Sequence, residues 1–265
     1  MSLPNYFDKK DHEYKDYQWQ LYEAILDDGD VHQLAQSLVV AFIEDRCSAK
    51  LVKAWHDGSP HSESTEQALK AHIEPTFGLP ANEEDFDQDH VEGAVAEYLW
   101  YYLYQEVRGD VVYSKEPDPD PTSGGGDSIS IHRSKNGLKF RLWEIKKHTG
   151  KNLSSTVSNA FNQLEDHSAK YIAQMSTIEQ NHRDQEIAQF FSQLPELWCE
   201  YSPDASIGVS VAIPERLIPG RCFTAFPNRF PNRVNERNPL QGMLKVVGDY
   251  SSFVRTVQEE AWKGL

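Results

Sequence analysis

The sequence is poor in cysteine, and it lacks any hydrophobic run long enough to cross a membrane. The three cysteines, Cys47, Cys199 and Cys222, form no Cys-x-x-Cys pair, which argues against a disulfide framework or a zinc ribbon. No run of eighteen apolar residues occurs, whereas a transmembrane helix needs about 20. The first residues, MSLPNYFDKKDHEY, lack the apolar segment of a secretory signal. We therefore expect a cytoplasmic protein with no membrane partner.

Several catalytic motifs are also missing. There is no Gly-x-x-x-x-Gly-Lys-Ser/Thr sequence, which excludes an ATP motor of the P-loop type. There is no Gly-x-Ser-x-Gly and no His-Glu-x-x-His, so nothing indicates an α/β-hydrolase or a zinc protease. The glycines at 124–126 are not followed by a lysine, and we interpret them as residues that let the backbone pass close to a metal site.

The formal charge of −15 is unevenly distributed. Residues 1–127 contain 9 Lys and Arg against 27 Asp and Glu, a net charge of −18, while residues 128–265 contain 17 against 14, a net charge of +3. The second half is therefore able to face a polyanion. The acidic first half fits a protein partner, a shield that lowers non-specific DNA affinity, or simply a solvated surface.

The first part of the chain favours helices. Residues 16–56 have apolar residues at near-helical spacing, and residues 57–89 are polar, with one short helix predicted at Glu66–His72 and loop elsewhere. A strong helix follows at residues 91–107, apolar around most of its circumference and hence predicted to be buried. Residues 1–89 are thus expected to form an acidic, mostly helical region.

The second part alternates strands and helices. Asp127–His132 and Leu138–Lys147 alternate with period two around an Asn-Gly turn, which predicts a β-hairpin. The remaining predictions are helices at 152–177 and 183–199, a strand at Ile207–Ile213, an irregular Arg/Phe-rich segment at 214–238, a strand at Leu244–Val247 and a final helix at Tyr250–Trp262. This order predicts a mixed α/β domain over residues 90–265.

Chemistry-bearing residues gather on the predicted hairpin. Glu144 and Lys146 are two residues apart on a strand, so their side chains share one face. Asp127 opens the partner strand and is expected to come back alongside Glu144. Two carboxylates and a strand carbonyl, such as that of Ile145, are the hard oxygen ligands that Mg²⁺ prefers. A lysine beside such a site can orient a water molecule or offset growing negative charge, so the set fits phosphodiester hydrolysis.

The pattern Asp127…Glu144-Ile145-Lys146 resembles the signature of the PD-(D/E)XK nuclease superfamily. The resemblance covers roughly residues 90–213 and implies a restriction-endonuclease-like core, a mixed central sheet flanked by helices, that cuts DNA with Mg²⁺ or Mn²⁺. In that fold a helix before the hairpin often supplies a further acidic residue. Glu97 is the best match for it, and Glu92 is the second choice.

A narrower resemblance rests on the Gly-rich segment that runs into Asp127, the Trp-Glu-Ile-Lys strand, the acidic front and the closing Phe-rich segment with its helix. Together these are similar to the nuclease subunit of Hachiman anti-phage systems. That resemblance implies an effector of antiviral defence that works with a helicase partner.

Other interpretations of the motif stay open. Glu144 and Lys146 are also consistent with an ion pair on an edge strand, and Asp127 with a simple turn cap. The pairs Pro117-Asp118 and Pro119-Asp120 also spell the "PD" of the motif, but they lead into a loop, so we prefer Asp127.

Several basic residues are candidates for contact with phosphate. Lys147 and His148 directly follow the motif, and Lys151 is close by. In the Arg/Phe-rich segment, Arg229 and Arg233 belong to a group of five arginines interleaved with phenylalanines, a composition typical of nucleic-acid surfaces. Each of these side chains is equally compatible with a solvated or packing role.

Three alternative functions remain at this level. The same fold can serve as a non-catalytic subunit that binds nucleic acid or protein, although the retention of Asp127, Glu144 and Lys146 argues against this. It can also be a free-standing restriction endonuclease, or a nuclease directed at RNA.

Overall fold

A computed structural model describes residues 2–25, 28–58, 60–80, 87–117, 127–214 and 221–265. Within these residues, seven strands form one mixed sheet. The strands are β1 (Phe7–Glu13), β2 (Tyr17–Ala24), β3 (Val111–Ser114), β4 (Ser128–Ser134), β5 (Gly137–Lys147), β6 (Ala205–Ile213) and β7 (Leu240–Val246).

The strand order is β1-β2-β7-β6-β5-β4-β3. The four central strands, β2, β7, β6 and β5, run parallel to one another, and antiparallel strands complete both edges. Because β4 runs antiparallel to β5, the first residue of β4 lies beside the carboxyl end of β5. The carboxyl ends of all four parallel strands meet at that same edge, which is where α/β sheets commonly bind ligands.

Helices cover both faces of the sheet. They are α1 (Asp28–Arg46), α2 (Ala49–Asp57), α3 (Glu63–Phe77), α4 (Gln88–Val107), α5 (Leu153–Ile178), α6 (Gln185–Cys199), the short α7 (Phe226–Arg229) and α8 (Tyr250–Trp262). Helices α1–α4 and α8 pack on one face, against Trp143 and Ile145 of β5. Helices α5–α7 pack on the other face, against Phe140 and Leu142 of the same strand. The chain is therefore an α/β protein whose central strands are buried on both sides.

The largest error of the sequence analysis concerns residues 16–56, which were expected to be helical throughout. Tyr17–Ala24 forms strand β2 instead, and it lies inside the sheet between β1 and β7. Trp19 and Leu21 pack toward one face while Tyr22 packs toward the other. A strand covered on both faces is apolar on both sides, so its sequence shows no clean period of two and is easily mistaken for a buried helix.

Smaller differences concern the lengths of elements. Residues 63–77 form one continuous helix where a short helix at Glu66–His72 was predicted, and β3 was not predicted at all. The final strand, β7, begins at Leu240 rather than at residue 244. The predicted hairpin β4–β5 is confirmed, with Asn136 and Gly137 at its turn and a positive φ of 109° at Gly137.

None of the helices in the described part of the chain is long and apolar enough to cross a membrane.

Candidate active site

Asp127 extends the pairing of β4 with β5 by one residue. Its backbone N–H donates to the carbonyl oxygen of Trp143 at 3.0 Å. Its carboxylate oxygen Oδ2 accepts the backbone N–H of Ile145 at 2.5 Å. Where the pairing of β4 with β5 ends, the Asp127 carboxylate thus accepts the Ile145 N–H in place of a backbone carbonyl oxygen. This geometry fixes its carboxylate beside the carboxyl end of β5.

Glu144 and Lys146 lie on β5, as predicted, between β4 and β6. The Lys146 ammonium is 2.5 Å from Oε1 of Glu144 and 3.7 Å from Oδ2 of Asp127. Glu144 is only 1% exposed, whereas Asp127 and Lys146 retain side-chain exposures of 19% and 27%. The three side chains therefore form one cluster that opens to solvent on the side of Asp127 and Lys146.

The electrostatics of the cluster are set by burial. Burial raises the pKa of Glu144 well above its usual value, and the charge of Asp127 raises it further. Burial also raises the pKa of Asp127, against the opposing effects of Lys146 and the Ile145 N–H. The pKa of Lys146 is raised because attraction to Asp127 and Glu144 outweighs the cost of burial. The two carboxyl groups beside Lys146 therefore favour its charged form.

Glu97 of α4 approaches this cluster from the helical layer that packs on Trp143 and Ile145. Burial, together with the nearby charge of Asp127, raises the pKa of Glu97 to about 8. Glu92, the second choice, lies elsewhere: its Oε2 accepts from Lys147 at 2.6 Å and its Oε1 from Ser251 at 2.7 Å. Glu97 interacts with the charges of Asp127 and Lys146, whereas the charged partner of Glu92 is Lys147.

The cluster is suited to a divalent cation of the hard, oxygen-preferring kind. Oε2 of Glu144 is buried and receives no hydrogen bond from an N–H or hydroxyl group of the described residues, and the carboxyl groups of Glu144 and Asp127 lie close enough to share a proton in a hydrogen bond. Asp127 and the Ile145 carbonyl supply further oxygen atoms nearby, and Mg²⁺ characteristically uses one or two carboxylates and keeps several waters. Among the residues that the structure describes, no group of three or more His, Cys, Asp or Glu side chains forms a ready-made metal cage. The residues present thus fit a two-carboxylate site rather than a fully protein-enclosed one.

The predicted phosphate contacts next to the motif differ in their availability. The Lys147 ammonium is held at 2.6 Å by both Asp89 and Glu92. His148 is buried, and its Nδ1 lies 2.7 Å from Oγ1 of Thr156. Lys151 is exposed at the start of α5. Of these three, Lys151 alone has the exposure that a phosphate contact needs without rearrangement.

The two arginines of the Arg/Phe-rich segment lie away from the cluster, against α5 and α6. Arg229 pairs with Glu165 and donates to Asn162. The Arg233 guanidinium is buried 3.7 Å from the ring centroid of Trp198, and burial lowers its pKa to about 10. The phenylalanines of the segment, Phe223, Phe226 and Phe230, belong to the core beneath α5. In this arrangement the segment packs the fold rather than presenting free cations.

Some predictions fall outside the described residues. These are the Pro-Asp alternatives at Asp118 and Asp120, the glycines at 124–126, and Arg216, one of the five arginines of the Arg/Phe-rich segment.

One residue near the cluster was missed by the sequence analysis. Lys245 of β7 is completely buried, and its ammonium donates to the carbonyl oxygen of Ala96, one residue before Glu97, at 2.8 Å. The signal was present in the sequence, because a single lysine interrupts the apolar run Gly242-Met-Leu-Lys-Val-Val247. A lysine in a strand buried on both faces is rare unless its charge has a partner.

Comparison with known proteins finds no family model that matches this chain, and no curated protein matches it.

Proposed function

We propose that the protein is a metal-dependent nuclease that hydrolyses DNA phosphodiester bonds. The observation that carries the proposal is the convergence of Asp127, Glu144 and Lys146 at the carboxyl end of β5, where Oε2 of Glu144 is buried without an N–H or hydroxyl donor among the described residues. An isolated ion pair does not account for this set. Burying two carboxyl groups beside one lysine is unfavourable for the fold unless a further cation or a substrate shares the site.

The division of roles follows from the contacts. Asp127 and Glu144 would hold Mg²⁺ or Mn²⁺ together with the carbonyl of Ile145, and the hydrogen bond from the Ile145 N–H fixes the direction of the Asp127 carboxylate. The bound cation supplies polarisation of the scissile phosphate and a lowered pKa for the attacking water. Lys146, the most exposed of the three, orients that water or offsets the negative charge that grows on the phosphate. Glu97 assists from α4.

Two structural features support the PD-(D/E)XK assignment within this proposal. The signature residues lie on adjacent antiparallel strands of a mixed sheet, and an acid-bearing helix, α4, precedes the hairpin and packs against it. The parallel strands β5, β6 and β7 provide a rigid support behind the motif. Strands β1 and β2 add to this arrangement at the far side of the sheet.

The net negative charge of the chain supports the proposal that the protein acts together with a partner protein. A net charge of −15 opposes the counterion-driven binding that supplies most non-specific affinity for DNA. Lys147, Arg229 and Arg233, three of the candidate phosphate contacts, are engaged within the fold. We infer that a second protein, such as the helicase of an anti-phage defence system, delivers the DNA or releases the nuclease.

Cleavage of supercoiled plasmid with Mg²⁺ or Mn²⁺ tests the proposal, with the wild type beside Lys146→Ala and Lys139→Ala. Lys139 lies on the same strand at its opposite end, so its removal controls for loss of positive charge on β5. We expect Lys146→Ala to lower the cleavage rate by about 100-fold or more, whereas Lys139→Ala keeps the wild-type rate. Equal cleavage rates for all three proteins would show that Lys146 takes no part in the reaction. A matched RNA substrate shows whether the enzyme prefers DNA.

If the wild type alone is inactive, the assay is repeated with a co-expressed helicase. Activity that appears only then, and that Lys146→Ala abolishes, supports a gated nuclease. Continued inactivity would contradict the nuclease proposal and favour a binding subunit with the same fold.

A further inference from the structure

Lys245 is a buried cation that the proposed chemistry does not yet use. It lies on β7 with 0% exposure, and the face it shares with Met243 and Val247 packs against α4. Its single hydrogen bond among the described residues goes to the carbonyl of Ala96 in the middle of α4. A carbonyl oxygen has two lone pairs, so it accepts this bond in addition to the one from the helix itself.

In the part of the chain that the structure describes, no carboxylate oxygen lies within 4.0 Å of the Lys245 ammonium. Burial lowers its pKa well below the usual value, and the attraction of Glu97 and then of Asp127 opposes that shift. Glu97 is affected reciprocally, since Lys245 is among the cations that lower its pKa. Lys245 and Glu97 thus interact electrostatically across the interface of β7 and α4.

The sheet register explains how a lysine on β7 reaches this position. Lys245 is aligned with Ala212 of β6, and Ala212 is aligned with Lys147 of β5. Aligned residues of a parallel sheet point to the same face, and neighbouring strands are about 4.8 Å apart. Lys245 thus lies on the face of the sheet that α4 covers, and its hydrogen bond to Ala96 holds it against the turn of α4 that carries Glu97.

We propose that Lys245 is a positioning residue of the candidate active site, which anchors the turn of α4 that carries Glu97 to the sheet through its hydrogen bond to the Ala96 carbonyl oxygen. It acts through this anchor, without touching the substrate. The part of the proposal that concerns cleavage rests on the proposed nuclease function. The coupling between Lys245 and Glu97 does not, because it is a property of the folded protein.

A packing role alone predicts a different pattern of coupling. If Lys245 merely fills space, its replacement by methionine, which has a similar shape, changes stability by the same amount whether residue 97 is glutamate or glutamine. If Lys245 positions Glu97, the two residues act as one unit, and the second removal then costs less than the first. The two cases are therefore separated by a double-mutant cycle.

The experiment measures thermal unfolding of the full chain for Lys245→Met, Glu97→Gln and the double variant. Met243→Ala, on the same face of β7, is the control in both backgrounds. We expect Lys245→Met to lower the melting temperature of the wild type by several degrees more, roughly 2–4 °C, than it lowers that of Glu97→Gln. Met243→Ala is expected to have equal effects in the two backgrounds. Equal effects of Lys245→Met in both would overturn the proposal.

Cleavage of plasmid with Mn²⁺ gives the second measurement. We expect Lys245→Met to lower the rate by about 10- to 100-fold in the wild type and to add little in the Glu97→Gln background. A loss of the same size in both backgrounds would overturn the positioning role. If the wild type does not cleave, the nuclease proposal fails on its own assay, and the unfolding cycle still decides whether Lys245 and Glu97 are coupled. Should Lys245→Met not fold, Lys245→Gln, which keeps a neutral donor, replaces it in both measurements.

Discussion

At the residue scale, His132 shows how the sheet near the site tolerates buried polar groups. Its Nε2 lies 2.9 Å from Oγ of Ser130 and 3.1 Å from the hydroxyl of Tyr104. Its Nδ1 lies 3.4 Å from Oδ2 of Asp110. Burial lowers the pKa of His132 to about 4 even though Asp110 acts against the shift. The ring is therefore neutral in the folded protein at neutral pH.

This pKa predicts a specific loss of stability in acid. Because the folded pKa of His132 is below the unfolded value of 6.5, its contribution is fully present above pH 6.5 and is lost as the pH falls toward 4. Between pH 7 and pH 5 the loss is about 2 kcal/mol, since each unit of pKa shift corresponds to about 1.4 kcal/mol. Urea unfolding of the wild type and His132→Gln at both values measures it. The variant should lose less stability over this interval, and identical losses would contradict the account.

Gly208 is the second informative residue, because Trp143 occupies the space where a side chain would be. A Cβ atom at Gly208 would lie 2.4 Å from Cε3 of the Trp143 indole. Gly208 and Trp143 are paired across β6 and β5, and Trp143 directly precedes Glu144. The absence of a side chain at Gly208 thus allows the indole of Trp143 to lie over β6.

We expect Gly208→Ala to destabilise the protein by about 1–3 kcal/mol, because the indole cannot stay where it is. Gly93→Ala is the matched control. Gly93 lies in helix α4 with no atom within 4 Å of an added Cβ, so this substitution should stabilise the helix by up to about 1 kcal/mol. Thermal unfolding of the two variants gives shifts of opposite sign. A shift of the same sign and size in both would be inconsistent with close packing at Gly208.

At the scale of elements, the N-terminal hairpin is part of the central sheet. Strand β2 pairs in parallel with β7 over Tyr17–Glu23, and β1 covers its outer side. The exposed positions of β1, in the sequence Phe-Asp-Lys-Lys-Asp-His-Glu, are charged, and charge on an edge strand discourages pairing with another chain. Removal of the hairpin would expose the apolar strand β7 as a new edge.

This arrangement predicts that residues 90–265 do not form a stable unit alone. The fragment retains Asp127, Glu144 and Lys146, but it lacks β2 and the helices α1–α3 that cover one face of the sheet. We expect it to be insoluble, or soluble without a cooperative thermal transition, when the full chain prepared in parallel shows one. A fragment that unfolds cooperatively near the temperature of the full chain would show that the domain boundary inferred from the sequence is sufficient.

The contrast between hairpin β4–β5 and strand β2 explains how far the sequence was informative. The hairpin carries local signals, an Asn-Gly turn and alternating residues, and the position of Asp127 beside Glu144 follows from them. The pairing of β2 with β7 joins residues more than two hundred positions apart, and no local pattern specifies such contacts. Lys245 was missed for the same reason, because its position near Glu97 depends on how β7 packs against α4.

At the scale of the whole molecule, the net negative charge disfavours the DNA binding that the proposed function requires. The acidic half of the chain supplies β1–β3 and helices α1–α4, and the mildly basic half supplies β4–β7 with the motif residues Glu144 and Lys146. A DNA substrate would therefore approach a protein of net negative charge. A measurement of metal binding needs neither DNA nor a partner protein, and it therefore tests the candidate site more directly than a cleavage assay.

That test is a calorimetric titration with Mn²⁺ of the wild type, Glu144→Gln and Glu92→Gln. Both glutamates are buried, but Glu92 is engaged by Lys147 and Ser251, whereas Oε2 of Glu144 receives no hydrogen bond from an N–H or hydroxyl group in the described part of the chain. We predict that Glu144→Gln weakens Mn²⁺ binding by about tenfold or more and that Glu92→Gln leaves it unchanged. Equal affinities in all three proteins, or a greater loss in Glu92→Gln, would contradict a metal site at Asp127 and Glu144.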